Sequence, residues 1–434
     1  MSGRMSRGTS DRGTSDRGTS DRGTTEMPSG RPNDAQLAPL DLSNFLRRHG
    51  PSLVDFRRDL HRHPELSYQE RATTDKLCNW LRANGLDPVV LASGTGVVCD
   101  IGAGDGPIVA LRADIDALAM DDMTDSEYTS RTPGVAHACG HDVHSAIVLG
   151  AGIALQALDD LGRLPGRVRL IFEPGEESVP GGAIEVVKEG WLDSVGVILG
   201  LHCDPKTDLF HLGTRVGAIT SASDTVEIVL SGPGGHTARP ERTVNMVDLA
   251  ARVVQEVPRR FAELAADIGT TRLVFGALHT GDAPNVIPGL ARMRGTMRTP
   301  SRAMWDAAPD VLRVALEQVL ADSGAQWELV YSRGIPPVVN DADATTIFDD
   351  AARLVLGPDA IVATEQSWGG DTFAWYLEEV PGSYVRLGTH DPARPGPRLD
   401  LHASTFDVDE RAIDVGVSVL VNSALLWHER HPAR

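Results

Sequence analysis

Apolar positions along the chain follow two rhythms. From about residue 40, "LDLSNFLRRHGPSLVDFRRDLHRHPELSYQERATTDKLCNWLRANG" repeats its apolar residues at helical spacing, broken at Pro51 and Pro64. Short apolar runs follow: "PIVALR" at 107–112, "RVRLIF" at 167–172 and "VGVILGL" at 195–201, each bounded by Gly or Pro. The helical stretch "SAIVLGAGIALQAL" separates the first two. Buried strands alternating with helices predict an α/β fold with a central mixed sheet.

From about Val216 to Arg333 the rhythm changes. "TVEIVLSG" alternates as a half-buried strand does, and "NMVDLAARVVQEVPRRF" is helical. "TRLVFGALHTG" and "LARMRGTMRT" read as two more strands across a Pro-Gly-rich turn. "AAPDVLRVALEQVLADSG" is helical again and "QWELVYSRG" closes the set. The order βαββαβ predicts a compact ferredoxin-like domain. The α/β pattern resumes through "AIVATEQSWGGDTFAWYLEEV" and "GSYVRLG". The expected organisation is therefore a larger domain formed by residues 38–215 and 334–434, with a smaller one, 216–333, inserted into it.

Length agrees, since 434 residues exceed one ordinary core. Residues 1–37 repeat Gly-Thr-Ser-Asp-Arg, offer almost nothing to bury and are expected to be disordered. They lack the apolar stretch of a secretory signal, which points to the cytoplasm. No run of about eighteen apolar residues predicts a membrane span. A formal charge of −19 argues against nucleic acid and against an anionic membrane as partners. Cys78, Cys99, Cys139 and Cys203 are scattered, with no paired framework.

Candidate chemistry gathers where the apolar runs stop. "VALR" leads into Asp114 and Asp116, "RVRLIF" into Glu173, Glu176 and Glu177, and "VGVILGL" directly into His202. Ligands of open α/β sheets collect at such strand ends. The loop "VAHACGHDVHSA" adds Cys139 and His141. Thiolate, imidazole and carboxylate together suit zinc, and the oxygen and nitrogen donors also accept manganese. Each signal alone reads more simply as a buried thiol, a structural histidine or a solvated acid pair; their combination is what points to a metal. Neighbours on an extended strand face opposite ways, so Glu176 and Glu177 offer one carboxylate to a metal and one to a water. His61, His63, His211, His279 and His390 lack such company and read as structural.

With these residues in view, the sequence resembles the M20 metallopeptidase family, and within it the N-acyl-amino-acid amidohydrolases that include hippurate hydrolases and plant auxin-conjugate hydrolases. The motifs that carry the resemblance are "DLHRHPELSYQE", "LRADIDAL", "HACGHDVHSA", "FEPGEES", "GLHCDP", "GGHTARPERTVN", "GDAPNVIP", "RGTMRT" and "LHASTF". The resemblance implies two divalent ions, zinc or manganese, on Cys139, His141, Glu177, His202 and His402. Cys139 takes the bridging place and Glu176 that of general acid/base. It implies a catalytic α/β domain carrying a smaller lid that also makes a homodimer. In the lid, His236 would stabilise the oxyanion, often from the partner subunit, while Asn285 and Arg298 hold the substrate.

The expected activity is hydrolysis of the amide of an N-acyl amino acid to a carboxylic acid and a free amino acid. A metallo-dipeptidase or carboxypeptidase on the same scaffold is the second reading, and a non-catalytic binding homologue the third. The sequence departs from the family pattern at Pro233, where a basic residue is usual, and at Ala119, where a proline is expected. Gly370-Asp371-Thr372-Phe373 replaces the common Ser-Glu-Asp-Phe, and Ala-Ser-Thr-Phe follows His402. These departures leave every ligand position in place and bear on the acyl-side pocket.

Overall fold

The computed structural model describes residues 42–432, so the disorder expected over 1–37 lies outside the described residues. Helix α1 (Leu42–Arg62) opens them and α2 (Arg71–Ala83) follows. Strands β1 (Val89–Val90), β2 (Val97–Ile101) and β3 (Ile108–Asp114) lead to α3 (His141–Asp160). Then come β4 (Arg167–Glu173), β5 (Val195–Asp208) and β6 (Leu212–Thr214).

Helix α1 runs unbroken through Pro51, against the break expected there. An internal proline costs a helix about 3 kcal/mol. Leu53, Phe56 and Leu60 of the same helix are buried, each worth about 1.5–3 kcal/mol. Their sum exceeds the proline cost, so packing overrides the local breaker.

The chain next forms β7 (Ala222–Ser231), α4 (Met246–Leu264), β8 (Arg272–Thr280), β9 (Leu290–Thr299), α5 (Arg302–Leu320) and β10 (Gln326–Ile335). The four strands make an antiparallel sheet in the order β8-β9-β7-β10. Inward residues of β7 and β9, among them Val226, Ile228, Met293 and Met297, share one apolar cluster with Val253 and Phe261 of α4 and Leu312 and Leu316 of α5. The alternating pattern that marked these strands places Leu290, Arg292, Arg294 and Thr296 on the opposite, exposed face.

Helix α6 (Ala342–Leu356), β11 (Ile361–Ala363), β12 (Gly382–His390) and α7 (Arg411–Arg430) complete the described chain. The large sheet has eight strands in the order β1-β2-β4-β3-β5-β12-β6-β11. It is mixed: β3 pairs parallel with β4 and β5, and β5 parallel with β12, while β2 and β6 are antiparallel to their inner neighbours. Helix α3 is buried along most of its length and shares the main core with α1 and α7. Strand β5 continues to Asp208 beside β12, so His202 lies within a strand and not at its end. The central strands β3, β4 and β5 thus bring Asp114, Glu173 and His202 to one region.

Candidate metal centre

Cys139 ends an irregular segment just before α3. Gly140 caps that helix with φ of 90°, and a Cβ there would sit 3.0 Å from the Cys203 sulfur. Only glycine meets both conditions at once. The turn aims the Cys139 thiol at two imidazoles: Sγ lies 3.4 Å from His202 Nε2 and 3.3 Å from His402 Nε2. His402 itself has φ of 59° and is fixed by its amide, which donates to the Ala138 carbonyl at 2.8 Å. A non-glycine residue in that region is strained and persists only where its surroundings hold it.

Glu176 and Glu177 depart from the extended-strand expectation. Strand β4 stops at Glu173, and Gly175, with φ of 64°, turns the chain. Both carboxylates therefore face the same side: Glu176 Oε2 lies 4.0 Å and Glu177 Oε1 3.9 Å from His141 Nε2. Glu177 Oε1 is also 3.2 Å from His402 Nε2. The cluster thus joins Cys139, His141, Glu176, Glu177, His202 and His402, drawn from residues far apart in sequence.

Hydrogen bonds fix which nitrogens are free. His202 Nδ1 donates to the Cys203 carbonyl at 2.7 Å, and His141 Nδ1 to the Asp116 carbonyl at 2.9 Å. Carbonyls only accept, so in the neutral rings the Nε2 lone pairs face the cluster. His141 Nε2 is buried with no hydrogen-bond partner among the described residues, and Glu177 Oε1 has at hydrogen-bond distance only its 3.2 Å contact with His402. Orphaned buried polar atoms are costly, and two lone pairs beside a thiol form a donor set that fits a divalent cation. Burial, reinforced by His144, pushes the His202 imidazole well below its usual range and keeps it neutral, as a ligand must be. Burial pushes the Cys139 thiol well up, so a thiolate there needs a compensating cation.

Asp114 and Asp116, named above only as strand-end acids, support this shell. Asp116 Oδ2 accepts from Ser67 Oγ at 2.7 Å and from the Glu177 amide at 2.9 Å. His144 donates from Nδ1 to Asp114 Oδ1 at 2.6 Å and accepts at Nε2 from the Cys203 amide at 2.8 Å. With both ring nitrogens committed, His144 has no lone pair left for a metal. Arg112, fully buried, donates to Glu173 at 2.7 Å, to Asp114 at 2.6 Å and to the Thr372 hydroxyl at 3.2 Å. The Thr372 amide in turn donates to Glu176 Oε1 at 3.1 Å. Sequence reasoning gave no role to Arg112, His144 or Thr372, although the first two stand inside quoted motifs and the third in a segment noted as a departure from the family pattern. Burial, then Asp371 and Glu177, pushes the Glu176 carboxyl well up.

The other expected site residues sit apart from this cluster. His236, in a two-residue strand paired with Val286–Ile287, and Asn285, on the turn just before that partner, are both exposed, and Thr237 N donates to the Asn285 carbonyl at 3.3 Å. Among the described residues neither has a hydrogen bond or ion pair to the cluster. Arg298, half-buried on β9, lies beside Gly370, two residues before Thr372.

The model of peptidase family M20/M25/M40 matches residues 110–425, a span that includes every member of the cluster. The chain belongs to this family. Among its M20 relatives, the N-acetylcysteine deacetylase of Bacillus subtilis is 34% identical over 376 residues, covering 86% of this chain and 96% of the relative. A Rhodococcus jostii protein carrying a glutamate–cysteine ligase name is 42% identical over 369 residues, or 85% of this chain. This chain spans only 46% of that longer relative, whose name therefore describes more than the matched part. Among solved structures, the Bacillus subtilis YXEP protein, described as a dinuclear metal-binding peptidase of the M20 family, superposes with a TM-score of 0.75. It is 33% identical and is matched over 89% of this chain and 99% of its own. The M20 chain described here is a metal-dependent amide hydrolase, acting on carbon–nitrogen bonds.

Proposed function

We propose that this M20 enzyme hydrolyses N-acyl amino acids at a dinuclear metal centre that Cys139, His141, Glu177, His202 and His402 would hold. The observation that carries the reading is the convergence of the Cys139 sulfur on two imidazole nitrogens, at 3.4 and 3.3 Å, beside the orphaned His141 Nε2 and the Glu177 carboxylate. Zinc or manganese bound there would supply Lewis acidity toward the scissile carbonyl.

The remaining work falls to the protein's own groups. Glu176 is the general base and then the general acid. The Thr372 amide holds its Oε1, and its Oε2 faces the cluster. It takes the proton of the attacking water and passes it to the leaving nitrogen. The unit of residues 216–333 serves as a lid, bringing Asn285 and Arg298 onto the amino-acid part and excluding water. His236 acts on the oxyanion, reaching across a homodimer formed by the lid; a donor of this kind is worth about 3–4 kcal/mol. The substrate is a small molecule met in the cytoplasm, with no nucleic-acid or membrane partner. The four cysteines, all free and buried, are consistent with a reducing compartment.

The test is Glu176→Gln. The variant should bind two metal ions per chain as the wild type does, while kcat on an N-acetyl amino acid falls by about 1,000-fold or more. A variant with wild-type turnover would remove Glu176 from its role. Turnover of dipeptides above that of N-acetyl amino acids would move the activity to the peptidase reading. That reading has support from a 31% identical relative named thermostable carboxypeptidase 1.

A further inference from the structure

Two arginines face one another on the exposed side of the smaller sheet. Arg272 of β8 and Arg298 of β9 are direct partners in the antiparallel register. Side chains at such positions start about 5 Å apart, and like charges there repel. Neither guanidinium has a carboxylate bonded to it among the described residues, in a chain with 60 acids against 41 bases. The charge that reaches Arg298 is that of Asp224, which already accepts from Trp305 Nε1 at 2.9 Å, Tyr331 OH at 2.6 Å and the Gly334 amide at 2.8 Å.

The pair is held in place despite the repulsion. The Arg272 guanidinium lies 3.8 Å from the centroid of Trp368. Stacking on an indole fixes the cation while leaving its in-plane N–H groups free to bind an anion. Trp368 belongs to a loop sewn to the strand junction: Ser367 N donates to the Ile219 carbonyl at 2.9 Å, and Gln366 Nε2 to the Pro300 carbonyl at 2.6 Å. The same loop runs through Gly370, which an Arg298 Nη1 approaches, to Thr372, whose amide holds Glu176. The paired cations are thus anchored to the loop that positions the catalytic carboxylate.

We propose that Arg272 is a specificity-determining residue and that the preferred substrates are N-acyl derivatives of acidic amino acids. Arg298 takes the α-carboxylate and Arg272 the side-chain carboxylate. The cross-strand spacing is of the same order as the separation of the two carboxylates in glutamate or aspartate. A dianionic amino-acid part neutralises both guanidiniums, which explains why two unpaired cations are kept opposite one another. The inference rests on the N-acyl-amino-acid reading and adds the class of amino acid.

N-acetylglutamate and N-acetylglutamine are nearly isosteric and differ by the charge in question. In the metal-loaded wild type, kcat/KM for N-acetylglutamate should exceed that for N-acetylglutamine at least ten-fold, mainly through KM. Arg272→Gln should reduce that ratio at least ten-fold, and Arg272→Glu should shift preference toward N-acetyllysine. Thermal unfolding of both variants checks that they fold. A wild-type ratio near one, or a loss in Arg272→Gln shared equally by both substrates, overturns the inference and leaves the N-acyl-amino-acid reading standing. Hydrolysis of no N-acyl amino acid at all overturns both.

Discussion

Thr372 occupies a position where the family resemblance leads one to expect an aspartate. Its hydroxyl donates to Glu173 Oε1 at 2.6 Å and accepts from Arg112 at 3.2 Å, while its amide holds Glu176. Thr372→Val keeps the amide and removes the hydroxyl, leaving a buried guanidinium and carboxylate each one partner short. The expected cost is about 1–3 kcal/mol, read as a lower urea midpoint. Glu70 offers a second residue-scale check. Its Oε1 accepts from the Gly175 amide at 2.7 Å, Oε2 has no hydrogen-bond partner among the described residues, and burial pushes its carboxyl up to about 7. A raised carboxyl binds its proton more tightly in the folded state, so its contribution is greatest below the unfolded value near 4.5 and is lost as pH rises toward 7. Metal-stripped wild type should lose about 3 kcal/mol of stability across that window from this group. In Glu70→Gln the loss should flatten in denaturation curves taken at pH 5 and pH 7.5; an unchanged slope would contradict the assignment.

At the scale of elements, the turn after β4 decides the geometry of the site. Gly182 packs against it so closely that an added Cβ would lie 1.9 Å from the Pro174 carbonyl oxygen. Gly182→Ala must therefore shift the segment bearing Glu176 and Glu177. Overpacking of this kind costs about 1–3 kcal/mol. We expect lower melting temperature and kcat together, measured side by side; unaltered activity would show that the turn tolerates displacement. The same turn marks what a sequence can carry. Periodicity alone gave the strands ending near Asp114 and Glu173 and the helices around them, because burial imposes spacing. It placed Glu176 and Glu177 on an extended strand because the effect of Gly175 depends on a backbone angle that residue identity permits but does not dictate. Pro51 misled in the other direction, since the packing that overrides it lies on other helices. Cys139, His141, Glu176, Glu177 and His202 stood out by chemical type and His402 only through the family resemblance, whereas Arg112, His144 and Thr372 act through contacts between residues distant in sequence and left no local pattern.

For the whole molecule, the cluster is where distant parts of the chain meet. Cys139 and His141 flank the start of α3, Glu177 follows β4, His202 lies in β5 and His402 precedes α7. Ions bound there would tie these segments together and bind the folded state alone. Adding metal to stripped enzyme at about a thousand times Kd should stabilise it by about 4 kcal/mol, and chelation should reverse the gain. A melting temperature indifferent to chelator would separate the cluster from metal binding. No helix among the described residues is long and apolar enough to cross a membrane, and the metal-loaded enzyme can be taken to crystallisation trials. Anomalous scattering from such crystals is the most direct test. Two peaks roughly 3.5–4 Å apart, both within bonding distance of the Cys139 sulfur and bounded by His141, Glu177, His202 and His402, are the predicted result. Peaks elsewhere, or none beside Cys139, would contradict the account.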